Sequence, residues 1–389
     1  MPTVTVNGVD LFYELSGPKG LPTVAFSNSL GSTIEMWDGI VAALDGQFRL
    51  LRYDTQGHGR SGSRDQSTTI DDLANDLAGL LEALDIAEAH IVGLSLGGMV
   101  AQAFGILHPA PTASLILMGT AAHLPPPDFW MQRAATVLDA GPEAVVDTIV
   151  PRWFTPGFQE RDPAAVRRIR DFFLGSERHG YARCCEAIAS MDLRERLKAI
   201  RAPTLVIVGA DDPVAPLALG EDIRSRVPGA GLVIIPDCAH LISVEQPATA
   251  ALHISAFLER HAPGAPSRAF IDGLANRRAV LGPAHVDRAI DNAGAFGMPW
   301  QDFITRVAWN DAWGDPTLPR KTRSLLTLTM MIALQREEEF KLHVRPALSN
   351  GVTVEELRSL IRHAAVYAGI PAGNAAMRWV REVLGDELR

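Results

Sequence analysis

The feature that most constrains the fold of this chain is an alternation, from Thr3 to Leu258, of short β-branched runs with longer helical patterns. Such an alternation predicts a mostly parallel sheet with helices on its faces. The first two strands are expected to form a hairpin about Asn7-Gly8. The eight predicted strands are "TVTVNG", "VDLFYEL", "TVAFSN", "FRLLRYD", "AHIVGL", "SLILMG", "TLVIVG" and "GLVIIP".

The alternation is interrupted between the sixth and seventh strands. Residues 121–198 contain no clear strand but several helical stretches, including "DFWMQRAATVLDA" and "PAAVRRIRDFFLG". An insertion of this size usually forms a lid or cap, so a helical lid is expected over about residues 122–198.

A change of composition after about residue 261 indicates a boundary between two domains. The stretch "HAPGAPSR" is rich in proline, glycine and alanine, which predicts a linker at residues 262–268. One core rarely grows beyond about 250 to 300 residues, so two domains are expected, an α/β domain at residues 1–261 and a separate all-α domain at residues 269–389. The helical patterns of the second are "AHVDRAIDNAG", "WQDFITRVAWNDAWG", "PRKTRSLLTLTMMIALQREEEFKLHVRPALSNG", "TVEELRSLIRHAAVYAG" and "PAGNAAMRWVREVLG".

The formal net charge of −9 bears on the class of partner. Nucleic acids and anionic membrane surfaces need a basic face, so neither is expected to be the main partner. No apolar run reaches the roughly 18 to 20 residues of a membrane helix, and the N-terminus lacks the pattern of a signal peptide. The three cysteines (Cys184, Cys185 and Cys238) are odd in number and two are adjacent, which favours reduced thiols in a cytoplasm.

The pattern G-x-S-x-G occurs once in a context that gives it chemical meaning, at residues 93–97 in "HIVGLSLGGMVAQAFG". A predicted strand precedes it and a predicted helix follows. A serine on such a sharp strand-to-helix turn has an exposed hydroxyl, because only glycines fit beside it. Ser95 is therefore the candidate nucleophile.

A serine hydroxyl needs a base to take its proton, and a carboxylate to orient that base, in the chain order Ser, Asp or Glu, His. "TLVIVGADDPVAP" places Asp211 and Asp212 after the seventh strand, and the position before proline favours Asp212. His240 follows the eighth strand and is the candidate base. His58 and His90 are expected to be structural.

An oxyanion hole needs two backbone N–H donors aimed at the developing charge. The residue after the nucleophile, Leu96, is expected to supply one. The loop after the third strand, "FSNSLGSTIEMW", is expected to supply the other, with Ser29 as the best candidate.

Residues 1 to about 261 resemble α/β-hydrolases of the lactonase and esterase branch. The form "SNSLG", with Ser27-Asn28 where most relatives have His-Gly, and the stretch "YDTQGHGRS" resemble 3-oxoadipate enol-lactonases in particular. The serine argues against the haloalkane dehalogenases and epoxide hydrolases of this fold, which use an aspartate.

A lactone substrate that carries a carboxylate needs a cation in its pocket. Trp130 and Arg133 lie at i and i+3 on the first predicted lid helix, so they share a face and are candidate substrate contacts. The alternative is that Trp130 belongs to the lid core and Arg133 to the surface. Arg152, Arg183 and Trp153 remain further candidates.

The stretch "QREEEFKLHV" in the second domain allows three interpretations. If residues 325–348 form one helix, Arg336, Glu339 and His343 lie along one face, and Glu337 is spaced to pair with Lys341. This face is a solvated charged surface, a metal site, or an acid/base pair beside a cation. The metal site is weakly supported, since a single histidine with scattered carboxylates lacks ligand spacing.

The second domain resembles the γ-carboxymuconolactone decarboxylase family through "RRAVLGPAHVDRA", "TRSLLTLTMMIAL", "EEEFKLHVRPALSNGVTVEEL" and "YAGIPAGNAAM". Alkylhydroperoxidase-like relatives carry C-x-x-C-x-x-x-H on this helix. Arg336 and Glu339 stand at the cysteine positions, and His343 keeps the histidine. This domain contains no cysteine, so its composition excludes the thiol peroxidase chemistry of those relatives.

What this resemblance implies is a decarboxylation without cofactor or metal. His343 with Glu339 or Glu338 would move the proton, and Arg336 or Arg323 would hold a carboxylate. Ser324 stands where the superfamily has an acidic residue, and Tyr367 is a further candidate for the pocket. The resemblance also implies a homo-oligomer formed through this domain.

The two resemblances together predict a bifunctional enzyme of aromatic catabolism, in the protocatechuate branch of the β-ketoadipate pathway. Its substrates would be small anionic lactones, because the decarboxylase product, 3-oxoadipate enol-lactone, is what the hydrolase would open. The alternative is an esterase or lactonase of other specificity, with the second domain serving only for oligomerisation.

Overall fold

The structure is a computed structural model that describes residues 2–262 and 264–388, and it divides into two units, Met1–Ala265 and Pro266–Arg389. Each unit has its own cluster of buried apolar side chains. The predicted linker, residues 262–268, spans the boundary, and a helix begins at its last residue, Arg268. Residues 1, 263 and 389 of the predicted domains and linker lie outside the described residues.

Within the described residues, the first unit is built on one sheet of eight strands, which are the eight that the sequence predicts. Their order is β1-β2-β4-β3-β5-β6-β7-β8, antiparallel at β1–β2 and β2–β4 and parallel elsewhere. The strands are β1 (Thr3–Val6), β2 (Val9–Ser16), β3 (Thr23–Ser27), β4 (Arg49–Tyr53), β5 (Ala89–Leu94), β6 (Thr112–Met118), β7 (Thr204–Gly209) and β8 (Gly231–Ile235).

The burial of the strands follows from their place in the sheet. β3, β5 and β7 are buried along their whole length, as interior parallel strands covered on both faces are. The edge strand β8 is only partly buried, with Ile235 buried and Ile234 exposed. The hairpin between β1 and β2 turns at Asn7 and Gly8, which both have positive φ, as a two-residue hairpin turn requires.

Helices connect the parallel strands, and five of those described follow β6 in the predicted lid. The helices of the first unit are α1 (Asp38–Leu44), α2 (Ile70–Ala83), α3 (Leu96–Leu107), α4 (Pro127–Ala140), α5 (Val146–Ile149), α6 (Pro156–Arg161), α7 (Pro163–Leu174), α8 (Arg178–Ser190), α9 (Leu217–Arg226), α10 (Ile242–Glu245) and α11 (Pro247–His261). Short 3-10 helices cover Ile34–Trp37, Pro142–Ala144, Val150–Trp153 and Leu197–Ala199.

The second unit is helical throughout its described secondary structure. It comprises α12 (Arg268–Leu281), α13 (Pro283–Asp291), α14 (Gly294–Ile304), a π-helical segment (Thr305–Ala312), α15 (Arg320–Ala333), α16 (Glu337–Ser349), α17 (Val354–Ala368), α18 (Ile370–Leu384) and a 3-10 turn (Gly385–Leu388). The sequence patterns missed α12 altogether. Throughout the described residues, no helix is long and apolar enough to cross a bilayer.

Side-chain caps explain where some of these helices begin. At the start of α17, the Thr353 hydroxyl accepts from the N–H of Glu356, and the Glu356 carboxylate accepts from the N–H of Thr353. Thr69 and Asp72 form the same reciprocal cap at the start of α2. Each cap satisfies two N–H groups that the first turn of a helix leaves without partners.

The expectation of one helix over residues 325–348 was wrong, because α15 and α16 are separated by a turn at Gln335. Gln335 has a φ of 55°, and the N–H of Arg336 donates to the Met331 carbonyl at 2.9 Å. The N–H of Gln335 donates to the Ile332 carbonyl at 3.2 Å. This pair of bonds is a Schellman ending, which closes α15 and starts a new helix direction.

Candidate active sites

Ser95 stands on a strained turn between β5 and α3, with φ 57° and ψ −115°. A Cβ on Gly97 would lie 1.9 Å from the Ser27 carbonyl oxygen, and one on Gly93 would lie 2.1 Å from that of Gly97. Only glycine therefore fits on either side. The neighbours of Ser95 on both sides are buried, while Ser95 itself is only partly so. The turn exposes its hydroxyl.

Asp212 and His240, which follow β7 and β8, form a buried pair. His240 Nδ1 lies 2.8 Å from Asp212 Oδ2. The other carboxylate oxygen accepts the backbone N–H groups of Val214 and Ala215, at 2.7 and 2.9 Å. Burial by itself would raise the pKa of Asp212, but His240 and the two N–H donors outweigh it and lower that pKa below its usual value. Asp211, in contrast, is exposed.

This pairing sets the role of each imidazole nitrogen. Because Nδ1 faces the carboxylate, Nε2 is left as the nitrogen that can take a proton from a nucleophile. Among the described residues, no hydrogen bond joins Ser95 to His240. Catalytic hydrogen bonds are often longer without substrate and shorten in the complex.

The two predicted oxyanion donors lie on neighbouring segments. Leu96 opens α3, where a backbone N–H has no partner within the helix. The N–H of Ser29 points to the Met36 sulfur at 3.4 Å. Thioether sulfur is a weak acceptor, so a negatively charged oxygen would compete for this N–H with advantage.

The predicted lid residues Trp130 and Arg133 line a cavity of about 520 Å³, together with the alternatives Arg152 and Trp153. The Trp153 ring lies 6.5 Å from that of His240, which places the cavity beside the Asp–His pair. Trp130 is buried, and its Nε1 donates to the Leu124 carbonyl at 3.1 Å. The cavity is thus a candidate pocket for a substrate.

Arg133 is held by an aromatic neighbour. Its Nε donates to the Tyr181 hydroxyl at 2.7 Å, and its guanidinium lies 5.1 Å from the Trp130 ring centroid. Tyr181 carries no negative charge, since burial raises its pKa far above neutrality. This contact therefore leaves the Arg133 guanidinium next to the cavity without an anionic partner among the described residues. Arg183 lies elsewhere, bonded to the Arg64 carbonyl.

The two histidines expected to be structural are buried and neutral. His58 Nδ1 lies 3.0 Å from the Gln56 carbonyl, and His90 Nδ1 lies 2.8 Å from the Ser114 hydroxyl. Burial lowers the pKa of each to about 4.

In the second unit, His343 of α16 lies beside two indole rings, which are stacked on each other with their centroids 5.2 Å apart. The centroids of Trp309 and Trp313 are each 6.4 Å from that of the imidazole, with interplanar angles of 5° and 23°. Burial, and to a lesser degree the nearby His285, lower the pKa of His343 to about 4. The imidazole is therefore neutral at pH 7. The sequence pattern missed both tryptophans, although their spacing of four in "VAWNDAW" places them on one helix face.

Arg336 and Glu339 were expected to lie with His343 along one face of a continuous helix, and the structure does not show that arrangement. Arg336 precedes α16 with φ −92° and ψ 81°, so it does not continue the helix face as expected. Arg336 and Glu339 are exposed, and no hydrogen bond of the described residues joins Glu339 to His343. Arg323 donates to the Asp315 carbonyl at 2.6 Å, and Tyr367 is 81% exposed.

The structure also shows where the remaining predicted residues of the second unit lie. Lys341 Nζ lies 2.6 Å from the Glu337 carboxylate, which confirms the predicted i, i+4 pair. Glu338 is exposed, and Ser324 accepts from the Asn350 amide at 3.1 Å. Over the described ranges, no group of three or more histidine, cysteine, aspartate or glutamate side chains is arranged to hold a metal ion.

Two family models match the chain. The alpha/beta hydrolase family matches residues 24–253, and the carboxymuconolactone decarboxylase family matches residues 299–382.

Individual relatives match the same two parts. The chain is 36% identical over 245 residues to 3-oxoadipate enol-lactonase 2 of Acinetobacter baylyi, which covers 63% of this chain and 91% of that protein. It is 48% identical over 114 residues to 4-carboxymuconolactone decarboxylase of the same organism, covering 29% and 85%. The crystal structure of the enol-lactonase from Burkholderia xenovorans aligns with a TM-score of 0.65 and 38% identity, covering 66% of this chain and 100% of that one.

Proposed function

This chain belongs to the alpha/beta hydrolase family through its first unit and to the carboxymuconolactone decarboxylase family through its second, and we propose that it is a bifunctional enzyme of aromatic catabolism. The second unit decarboxylates 4-carboxymuconolactone to 3-oxoadipate enol-lactone. The first unit hydrolyses that lactone to 3-oxoadipate. The reactions belong to the protocatechuate branch of the β-ketoadipate pathway.

The observation that carries this proposal is the pairing of the two families on one chain. One relative's name gives 4-carboxymuconolactone as the compound that is decarboxylated, and the other's gives 3-oxoadipate enol-lactone as the compound that is hydrolysed. Loss of CO₂ from the first compound, with return of a proton, gives the second. Neither unit alone would indicate so specific a sequence of reactions. The three cysteines are free and buried, which supports a reducing cytoplasm as the compartment.

The hydrolysis follows from the Ser95 site. His240 Nε2 takes the hydroxyl proton as Ser95 Oγ attacks the lactone carbonyl, and the N–H groups of Leu96 and Ser29 stabilise the resulting oxyanion. Collapse breaks the ring C–O bond, and the enolate that leaves takes up a proton to become the ketone. Water, deprotonated by His240, then releases the acyl group from Ser95 as a carboxylate.

Substrate orientation falls to the cavity beside this site. The enol-lactone carries a free carboxylate, and Arg133 offers a guanidinium whose described partner is a neutral hydroxyl. Trp130 supplies an apolar wall against the ring. Arg133 therefore selects lactones that carry an acid over neutral esters.

The decarboxylation needs a site that holds a dianion and returns a proton to carbon. Loss of CO₂ leaves an electron pair that delocalises through the ring double bond to the lactone carbonyl, and protonation next to that carbonyl leaves the enol-lactone. His343 is neutral in the empty site, but a bound dianion raises the imidazole pKa and favours its protonated form. Glu339, one turn earlier on α16, can pass a proton to it from solvent.

The second unit also supports a homo-oligomer. Several large apolar side chains on α15, α17 and α18, and at the residue that follows α15, are exposed, which is uncommon for a surface that stays in water. They are Leu326, Met330, Leu334, Val366, Tyr367 and Ile370. The same observation favours the second candidate function, in which the unit serves only for assembly and the hydrolase acts on other esters.

A product assay separates these possibilities. Purified protein is given 4-carboxymuconolactone without added metal or cofactor, and products are separated by chromatography. Wild type should form 3-oxoadipate, Ser95→Ala should stop at the enol-lactone, and His343→Ala should leave the starting compound. Enol-lactone hydrolysis by Ser95→Ala at the wild-type rate would disprove the first half. Decarboxylation that survives in His343→Ala would remove that residue from the reaction.

A further inference from the structure

Arg277 of α12 is a buried cation that has no anionic partner among the described residues. Only 5% of the residue's surface is exposed. Nη1 donates to the Gln301 amide oxygen at 2.7 Å and to the Thr305 hydroxyl at 3.3 Å, and both acceptors are neutral. Burial lowers the pKa of this guanidinium. A buried charge with only neutral partners is costly to keep.

One edge of this guanidinium has no partner among the described residues. Arg277 Nε is buried, and no atom of the described part of the chain is its hydrogen-bond partner. No hydrogen bond or ion pair of the described residues involves Nη2 either. Parallel N–H groups on one edge of a guanidinium match the two oxygens of a carboxylate. The neighbouring Arg278 differs, because it is half exposed and paired with Asp287 at 2.7 Å.

The surroundings of Arg277 connect it to His343. α12 packs closely on the π-helical segment, since a Cβ on Gly273 would lie 2.1 Å from the Thr305 carbonyl oxygen. Thr305, which Arg277 contacts, and Trp309, which stacks on His343, are four residues apart on that segment. One helical turn, on the order of 5 Å, thus separates the two contacts.

A second hydrogen bond fixes the same arrangement. The Asn276 amide, next to Arg277 on α12, donates to the Trp309 carbonyl at 3.3 Å. A single face of the π-helical segment therefore holds the buried cation at one end and the indole against His343 at the other.

We propose that Arg277 binds a carboxylate of the second unit's substrate through its unpaired Nε–Nη2 edge. The inference rests on the proposed function and deepens it, because it identifies the cation that holds the departing or the retained carboxylate. Arg336 is exposed. Arg323 Nε is also buried without a partner among the described residues, but its Nη2 already bonds to Asp315, so its Nε–Nη2 edge is not free for a carboxylate. A buried guanidinium also binds an anion more strongly than an exposed one does.

A purely structural role predicts a different response to mutation. If Arg277 served only to hold the Gln301 and Thr305 side chains, its removal would lower the melting temperature. If its charge is kept for a ligand, Arg277→Met removes an uncompensated buried charge, and the melting temperature of the ligand-free protein should stay level or rise. Arg278→Met is the matched control, one residue away on the same helix.

The binding test uses full-length protein with ¹³C-labelled histidine in a Ser95→Ala background, so that a lactone is not opened. The probe is 5-oxotetrahydrofuran-2-carboxylate, a saturated lactone acid that lacks the double bond needed for decarboxylation. The His343 resonance, assigned by its loss in His343→Gln, reports binding in the second unit alone. Arg277→Met should weaken this binding roughly 10- to 100-fold, while Arg278→Met should change it less than about twofold.

The outcomes separate this inference from the proposed function. Arg277-dependent binding in a protein that fails to decarboxylate 4-carboxymuconolactone would keep the site and reject the function. Two results would overturn the inference. One is decarboxylation by Arg277→Met with unchanged KM and kcat, and the other is a His343 resonance that the probe does not shift. If Arg277→Met does not fold, Arg277→Lys replaces it: weaker binding at an unchanged melting temperature supports the inference, and wild-type affinity overturns it.

Discussion

Lowering the pH should destabilise this protein through His343 by an amount that can be worked out. The pKa of this imidazole is about 4 in the folded protein, first through burial and then through His285, against an ordinary value of 6.5. Between pH 6.5 and 4, His343 is therefore more fully protonated in the unfolded chain than in the folded protein. The stability linked to His343 is fully present above pH 6.5 and is lost as the pH falls toward 4. Linkage places the loss at roughly 2 kcal/mol by pH 5 and roughly 3 kcal/mol by pH 4.

Urea unfolding of wild type and His343→Gln at pH 7, 6, 5 and 4 measures this loss. His58 and His90, whose pKa values are also lowered to about 4, titrate in both proteins and cancel in the difference. The difference in unfolding free energy between the two proteins should shrink by the amounts given. Parallel curves from pH 7 to 4, or an NMR titration midpoint of His343 at or above 6.5, would refute the reasoning.

Three further substitutions test the first unit. Asp212→Asn should lower kcat for enol-lactone hydrolysis about 10³- to 10⁴-fold, because the amide no longer orients the imidazole. The control Asp211→Asn should keep kcat within about twofold of wild type. Equal losses of kcat in the two variants would contradict the assignment of Asp212. Gly97→Ala places a Cβ 1.9 Å from the Ser27 carbonyl oxygen, so it should cost at least roughly 3 kcal/mol in urea unfolding and abolish hydrolysis, and a wild-type unfolding curve would argue against this packing. Arg133→Met should raise KM for the enol-lactone about 10- to 100-fold, since a charge-assisted bond is lost, whereas a KM within about twofold of wild type would remove Arg133 from the pocket.

The sheet and the Ser95 turn could be predicted because their signals are local. Interior parallel strands need continuous β-branched runs, and a two-glycine turn around Ser95 follows from the lack of room for any Cβ. The choice of Asp212 over Asp211 used only its position before proline. Its burial against His240, in contrast, arises from the meeting of two strand ends far apart in sequence.

The second unit shows what local patterns miss. The apolar spacing runs on through Gln335, and no glycine marks the turn, so the left-handed conformation that ends α15 has no signal in the sequence. The stacking of Trp309 on His343 joins positions 34 residues apart, and helical periodicity describes only one helix at a time. Arg277 was missed for the same reason, since its burial depends on the packing of α12 against another segment.

The close approach of Gly97 to the Ser27 carbonyl has a consequence for rate as well as for folding. It joins the start of α3 to the end of β3, so the two segments that we propose to supply the N–H donors are packed directly against each other. Donors held this way need little reorientation when charge develops on the lactone oxygen. The N–H dipoles are thus oriented during folding, so orienting them costs little further free energy in each turnover.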